Sequence, residues 1–375
     1  MEMLVDSSRT DYLYNVLADQ LRKAIQKMPD HAKLPTRPEI MQEYGVTRAT
    51  AEKAISKLMG EGVLYSKVGS GTYVAPRSRI TSNEKASSQK VWAVVLPSVL
   101  FDVYPYIIRG VEDVAQRYGI AVRICNTDNN AQKQALYLTQ LLEDRVDGMI
   151  IIPAVPFHGT AESFKPWVES GIPFVFCNRE VPLVDAPRIV TNSFYGSLLA
   201  TRHLLQNGYN RVAFLSSERY RTSDERYMGY VAALAEAGIE LNDDYVVLSE
   251  EGRTDELKRG IIGAQKLLAL RVPPDAFCCF NDRIALNVYQ EIQRRGYRIG
   301  DDIGITGFDD IEACSLMNPQ LTSVLFPKYE TGYHAAELLY SYSQGETFDR
   351  SYFKVLQPTL KVRQSSLHGR AVEIS

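Results

Sequence analysis

The 375-residue sequence predicts an α/β protein: a small N-terminal winged helix-turn-helix, then a larger two-subdomain region built on parallel sheets. Three observations predict it. Residues 34–74 read as two short helical patterns split by Tyr44-Gly45-Val46, then two compact strands framed by Gly60, Gly62, Gly69 and Gly71. Helix, turn, helix and two-stranded wing is an arrangement that lays one helix in a DNA major groove. Residues 77–90, RSRITSNEKASSQK, are polar, Ser-rich and aperiodic, as linkers are. From Val91 onward, apolar strands alternate with amphipathic helices, so repeated βαβ units are expected. The expected domains are therefore 1–76, a linker at 77–90, and 91–375.

Composition narrows the functional classes. Hydrophobic content of 45% and charged content of 23% are those of a globular protein. No apolar run approaches the ~18 residues of a membrane span. The start MEMLVDSSRTDY lacks the pattern of a signal peptide, so a cytoplasmic location is expected. Cys125, Cys177, Cys278, Cys279 and Cys314 show no metal-ligand spacing and read as reduced thiols, with the pair in AFCCF filling a buried strand. The net charge of −3 is divided unevenly: residues 1–90 carry 14 Lys/Arg against 10 Asp/Glu, and the rest 28 against 35. A positive small end on a negative body suits a protein that turns one face to phosphates.

In the first ninety residues, Leu13, Val16, Leu17, Leu21 and Ile25 recur at helical spacing, predicting a helix over 12–28 capped by Asp11. A second helix starts after Thr36, with Pro38 in its first turn. Thr47 caps a third, in which Ala51, Ala54, Ile55 and Leu58 form the buried stripe. Its exposed start, Arg48, Ala49, Thr50, Glu52 and Lys53, would meet base edges and phosphates. Gly69-Ser70-Gly71-Thr72 supplies a hairpin tip, flanked by strand residues Val68, Tyr73 and Val74, whose amides and hydroxyls suit phosphate contact. A plain packing or dimerisation unit is the alternative for such a three-helix segment; the tight turn and glycine-rich wing favour DNA.

These residues resemble the winged-helix domain of GntR-type transcription factors. The likeness runs over about 10–76, through Leu34-Pro35-Thr36, Gly45-Val46-Thr47-Arg48, Ala54-Ile55, Leu58, Glu61-Gly62 and Gly71-Thr72-Tyr73-Val74. It implies DNA contact by Arg48 and by a wing tip at Gly71 and Thr72. The full set expected on the DNA face is Thr36, Arg37, Thr47, Arg48, Thr50, Lys53, Ser70, Gly71 and Thr72. Three positions depart from the family: Pro38, with Arg37 one place early, Glu52 in place of a basic residue, and Ser70 in place of lysine. Glu52 is open to two readings, a cytosine N4 acceptor or an ion-pair partner of Lys53 or Arg48.

Across the large region, strands are expected at VWAVVLP, AVRICNT, GMIIIP, PFVFCN, RVAFLSS, around 245–248, AFCCF and IGITGF. Helices are expected over 106–118, 131–143, 164–169, 195–207, 226–237, 257–268 and 284–295. So many elements make two sheets more plausible than one, and ligands sit beyond the carboxyl ends of such strands. The polar residues there are Ser98, Asp102 and Tyr104; Asp128; Asn178 and Arg179; Ser216, Ser217 and Arg226; Asn281 and Asp282; Asp309 and Asp310. Carboxylates, amides and guanidinium groups with nearby aromatics suit sugar hydroxyls and ring faces. Turn or capping duty is expected for Asp128 and Asp310, and ligand contact for Arg179, Asp282 and Asp309.

This region, about 90–365, resembles the effector-binding domain of LacI/GalR-type repressors, which share the type I periplasmic sugar-binding fold. The likeness lies in Leu136 through Gln140-Leu141-Leu142 to Arg145-Val146-Asp147-Gly148, in Arg226-Tyr227-Met228-Gly229, in Asn281-Asp282, in Gly307-Phe308-Asp309-Asp310 and in Leu321-Thr322-Ser323-Val324. It implies sugar contact by Arg226 and Asp309, a third polar anchor at Asn281 or Asp282, and Arg179 in the same cleft, with Asn178 where the family commonly has Asp. The expected effector-binding set is Ser98, Asp102, Tyr104, Arg179, Arg226, Asn281, Asp282 and Asp309.

An enzyme is the competing class. His31, His158, His203, His334 and His368 show no metal spacing, no Ser lies in a nucleophile elbow, and Gly69-Ser70-Gly71 is too short to cradle phosphate. Catalysis, a cofactor and a metal are therefore not expected. The expected function is a sugar-responsive repressor of a carbohydrate-utilisation operon, with an effector-dependent activator as the alternative. Its expected partners are double-stranded operator DNA, a monosaccharide and a second copy of the chain, with helices near 107–111 and 333–339 at the dimer interface. The head-and-sensor combination resembles arabinose repressors, which implies arabinose or another monosaccharide such as fucose.

Overall fold

The computed structural model describes residues 7–25, 27–67, 70–75, 89–155, 160–216, 220–248 and 256–368. The chain forms two compact units, Met1–Gln89 and Lys90–Ser375. The expected linker lies almost wholly outside the described residues.

In the smaller unit α1 (Ser7–Ile25), α2 (Arg37–Tyr44) and α3 (Arg48–Gly60) precede the hairpin of β1 (Leu64–Lys67) and β2 (Gly71–Val74). The first helix begins before Asp11, which therefore lies inside it rather than capping it. Leu17, Ala18, Leu21 and Ile25 face the core, whereas Val16 is exposed; the small Ala18 takes the inward place. Helix α3 buries Ala51, Ala54, Ile55 and Leu58 against Ile40, Leu64 and Val74. Between α2 and α3, Gly45 adopts φ 64°, the left-handed conformation a side chain would strain. The hairpin pairs Tyr65 with Tyr73 and Lys67 with Gly71, and Lys33 bridges to Tyr73 from the other side.

The larger unit opens with β3 (Val91–Leu96), α4 (Tyr104–Arg117), β4 (Ala121–Asn126), α5 (Ala131–Glu143) and β5 (Gly148–Ile151). Next come α6 (Thr160–Ser163), α7 (Lys165–Ser170), β6 (Phe174–Cys177) and β7 (Arg188–Thr191). A second set runs α8 (Ser193–Gln206), β8 (Val212–Leu215), α9 (Arg221–Glu236), β9 (Val246–Val247), α10 (Glu256–Leu268) and β10 (Ala276–Cys279). It continues through α11 (Asp282–Arg294), β11 (Gly304–Phe308), α12 (Ala313–Leu316) and β12 (Thr322–Leu325). The chain then returns through α13 (Lys328–Ser343) to β13 (Phe353–Leu356) and β14 (Thr359–Lys361).

Two six-stranded sheets result, ordered β13-β7-β6-β5-β3-β4 and β14-β12-β11-β10-β8-β9. Every pairing in them is parallel except β12 with β14. The inner strands β5, β6, β8, β10 and β11 are buried along their whole length, as strands covered on both faces must be. Helix α8 packs on the second sheet, and α13 returns to the first. The backbone thus passes between lobes after β7, β12 and β13.

The stretches expected at a dimer interface pack on each other inside the chain. Ile107 and Val111 of α4 and Ala335, Ala336 and Leu339 of α13 are all buried. The helices cross so closely that a Cβ on Gly332 would lie 2.0 Å from the Ile107 carbonyl oxygen, and one on Gly110 2.2 Å from that of Tyr329. Backbone cannot yield as a side chain can. Gly332→Ala is therefore expected to destabilise the larger unit by about 1–3 kcal/mol, read as a lower denaturation midpoint; an unchanged midpoint would refute the close crossing.

Candidate functional site

The DNA-facing residues follow from how the small unit folds. Thr47 caps α3, its hydroxyl accepting from the Thr50 amide at 3.3 Å. The Thr36 amide donates to Glu39 at 2.7 Å, closing the first turn of α2. These caps aim the starts of both helices to the same side, where Arg37 and Arg48 converge on one carboxylate. Glu52 Oε1 lies 3.1 Å from Arg48 Nε and 3.9 Å from Arg37 Nε. Of the two readings of Glu52, the structure has the ion pair, with Arg48 rather than Lys53; Lys53 lies over the Tyr14 ring at 5.5 Å.

Two of the expected contact residues point the wrong way. Thr50 is 3% exposed, its hydroxyl 2.9 Å from that of Thr47, because the third residue of α3 turns toward the core. Thr72 is 8% exposed: alternation along β2 sends Thr72 and Val74 inward together. Thr36, Arg37, Thr47, Arg48, Lys53, Ser70 and Gly71 remain on the surface. Val68 and Gly69 lie outside the described residues.

In the larger unit, the carboxyl ends of both sheets open into one cavity of about 400 Å³. Ser98 and Tyr104 follow β3, Asn178 and Arg179 follow β6, Phe280 and Asn281 follow β10, and Asp309 follows β11; all line it. Arg226 reaches in from α9. Its guanidinium is buried, 4.4 Å from the Phe280 ring and 3.4 Å from Phe308, and it donates to the Phe280 carbonyl. Burial lowers the Arg226 pKa, opposed by the nearby Asp309 charge at 3.9 Å. Asp309 itself sits at φ 116°, and Lys328 secures it by donating to the carbonyl oxygens of Asp309 and Asp310. Arg179 lies over the Tyr220 ring at 5.1 Å. The Asn281 side-chain oxygen Oδ1 caps α11, accepting from the Ile284 amide at 2.9 Å.

Asp102 does not line the cavity. Its carboxylate meets Arg283 Nε at 3.1 Å across the cleft, and Arg283 also donates to the Leu100 carbonyl and covers the Phe101 ring at 4.3 Å. Asp102 is a latch between lobes, because the turn before α4 aims it sideways. Asp310 turns away to Arg363 at 2.7 Å, so Asp309 and Asp310 form no paired acid. Asp128 lines the rim, held by Lys133 at 2.6 Å and by Asn126, which keep its carboxyl below the usual range. Ser217 lies outside the described residues. Sequence reasoning missed Asn129, Thr222, Arg259, Arg283 and the aromatic walls Phe101, Tyr220, Phe280 and Phe326. Asn129 clips the backbone of Val155 at 2.7 and 3.0 Å, an arrangement no local pattern announces.

Residues 13–74 match the bacterial regulatory proteins of the gntR family, and residues 201–366 match the periplasmic binding protein-like domain. The chain is 27% identical over 370 residues to the arabinose metabolism transcriptional repressor of Halalkalibacterium halodurans, covering 96% of this chain and 97% of that one. It is 32% identical over 260 residues to the HTH-type transcriptional repressor PurR of Vibrio vulnificus, covering 69% of this chain and 76% of that one. The chain belongs to this family of HTH-type transcriptional repressors. The crystal structure of transcription regulator GntR from Chromobacterium violaceum superposes with a TM-score of 0.64 at 26% identity, over 74% of this chain and 99% of that one.

Within this regulator, Asp282 is a structural acid rather than a ligand contact. It is fully buried behind the cavity wall, accepting from Ser323 at 2.6 Å and from the Ile311 amide at 3.0 Å. It lies against Gly307, where a Cβ would stand 2.0 Å from Oδ1. Asn281 precedes α11 in extended backbone, whereas Asp282 is the first residue of the helix and turns behind the wall. Burial pushes its pKa up to about 6. The folded state then holds this proton at a pH where the unfolded chain has lost it, so the ionised carboxylate costs stability above pH 6. That cost is relieved as pH falls toward 4. The stability of Asp282→Asn minus that of wild type should therefore fall by roughly 2–3 kcal/mol between pH 7 and pH 4. Urea titrations at each pH measure it, and a flat difference would contradict the assignment.

Proposed function

We propose that the chain is a sugar-responsive repressor of a carbohydrate-utilisation operon, released from its operator by a monosaccharide held in the cavity. The observation that carries the reading is the cavity itself. Arg226 and Asp309 stand together at its wall among Phe280, Phe101 and Tyr220, a set suited to hydroxyl pairs and to the apolar face of a sugar ring. The same chain carries exposed arginines at the start of a helix-turn-helix reader.

The protein binds its ligand without transforming it, acts in the cytoplasm, and works as a homodimer whose two-fold axis matches a palindromic operator. The cleft residues that contact the sugar are Arg179, Arg226, Asn281 and Asp309, with Ser98 and Tyr104 on the facing wall. Closing of the lobes about the sugar favours the state that does not bind DNA. A hundredfold loss of occupancy needs a preference of about 2.7 kcal/mol for that state. The relatives named for arabinose metabolism make arabinose the first sugar to try.

The test is selection of binding sites from genomic fragments, then titration of the bound complex with arabinose, fucose and other pentoses and hexoses, including their acids and phosphates. An inverted repeat released by one sugar is expected. Failure to select any fragment would remove the DNA role, and a complex indifferent to every sugar would remove the sensor role.

A further inference from the structure

Ion pairs join the two lobes at two separate places beside the cavity. On one flank Asp102, after β3, meets Nε of Arg283 on α11 at 3.1 Å, and Arg283 also covers the Phe101 ring. On the other flank Glu180, after β6, meets Arg221, the first residue of α9. In the first sheet β5 lies between β3 and β6, so the two pairs are spaced along the cleft rather than gathered at one point. Neither lies at the crossovers between lobes, which follow β7, β12 and β13.

The second pair is built more firmly than an ordinary surface pair. The Glu180 side chain is 16% exposed and also pairs with Arg188 of its own lobe at 2.8 Å. Arg188 and Arg221 both lie over the Phe353 ring, at 4.8 and 5.8 Å. Arg221 is steadied by Glu225, one turn along α9, at 2.8 Å. A carboxylate shared by two guanidinium groups over one ring is a network, and networks hold where isolated exposed pairs do not. Glu180 and Arg221 border only a recess of about 20 Å³ beside the main cavity, room for a water molecule and not for a sugar. Asp102 lies off the main cavity too.

We propose that these pairs latch the lobes together before any sugar arrives, so that Asp102, Glu180 and Arg221 tune the affinity for the effector without touching it. Each pair is completed by the chain's own side chains, so the closed conformer needs no ligand to form. Bending at the crossovers to open the cleft breaks both pairs, and the sugar selects a conformer that the latches already populate. The proposal rests on the reading of the cavity as a sugar site; the ligand-free part of its test does not.

Pulsed electron paramagnetic resonance on the full chain reads the lobes directly. Spin labels go on Leu136→Cys of α5 and Ile262→Cys of α10, both exposed, while the five native cysteines are buried. Labelled chain is diluted into unlabelled chain, so that only distances within one copy are read. Without sugar, Asp102→Asn combined with Arg221→Gln is expected to raise the open-to-closed ratio by about fivefold or more over wild type. Arg221→Lys, which keeps the charge, should retain part of the closed population. Raising salt from about 0.05 to about 1 M should open the wild type in the same way, because exposed charges are screened, and this arm needs no variant. Distances unmoved in both arms would overturn the proposal. A salt response undiminished in the double variant would assign the closure to other charges and overturn it as well. Arabinose is then titrated into the same chains, and its affinity is expected to fall by the factor by which the closed fraction falls. An affinity unmoved while the lobes open would overturn the tuning. If arabinose binds neither chain, the sugar reading loses its first candidate, and the distances still decide the latch.

Discussion

Arg48→Ala is expected to remove specific operator binding while leaving the fold and the ligand site intact. The Arg48 side chain is 77% exposed, and its one described ion pair is to Glu52 on the next turn of the same helix. Exposed pairs of this kind contribute about 0.3–0.5 kcal/mol, so truncation should scarcely move stability. At a base edge the same side chain is worth about 1–3 kcal/mol per half-site. Two half-sites in a dimer then lose roughly 2–6 kcal/mol, a fall in affinity of at least about thirtyfold. Fluorescence anisotropy on the selected operator measures it, and an unchanged affinity would refute the head assignment. Glu52→Gln is the informative companion. Glu52 now draws Arg37 and Arg48 together and sets a negative charge on the face proposed to meet phosphates. Its removal should strengthen non-specific binding and steepen the salt dependence of affinity.

Arg226→Ala should abolish the ligand response without touching the DNA reader. Its guanidinium lies against the rings of Phe280 and Phe308 and beside Asp309, so truncation removes both the proposed ligand donor and the charge that compensates a buried acid. Losing one member of a desolvated charged contact costs about 2–5 kcal/mol of affinity, roughly thirtyfold to several thousandfold. Stability will also suffer, by about 3 kcal/mol or more, because Asp309 is left buried beside an empty space. Asp309→Asn separates the two effects: it keeps the shape and removes the charge, so the fold should survive while the response is lost. Operator binding by both variants in the absence of sugar, with no release on adding the sugar that frees the wild type, is the expected pattern. A variant still fully released would contradict the site.

Much of this was legible in the sequence because it depends on local periodicity. The buried stripe of α3, the left-handed turn at Gly45 and the apolar strands β3, β5, β6, β8, β10 and β11 all announce themselves within a few residues. The strands that were not marked, β7, β12, β13 and β14, have three or four residues each. Two of them, β13 and β14, lie on opposite sheets though adjacent in sequence. Such a segment becomes a strand through its neighbours rather than through its own pattern.

At the level of single side chains the division is sharper. Strand-end position, together with the likeness to LacI/GalR-type repressors, led to Ser98, Tyr104, Arg179, Arg226, Asn281 and Asp309, and all six line one cavity, because parallel sheets gather their carboxyl ends. Asp102, Asp282, Thr50 and Thr72 satisfied the same kind of rule and point elsewhere. One residue along a helix turns a side chain by about 100°, and one along a strand reverses it. The sequence by itself determined the head, the two-sheet sensor and the loops that meet. Only the tertiary structure decided which side chain in each loop faces the cavity, that Glu52 joins Arg48 and Arg37, and that Asp102 and Arg221 reach ion-pair partners across the cleft. Those depend on distances between residues far apart in the chain, and only packing sets such distances.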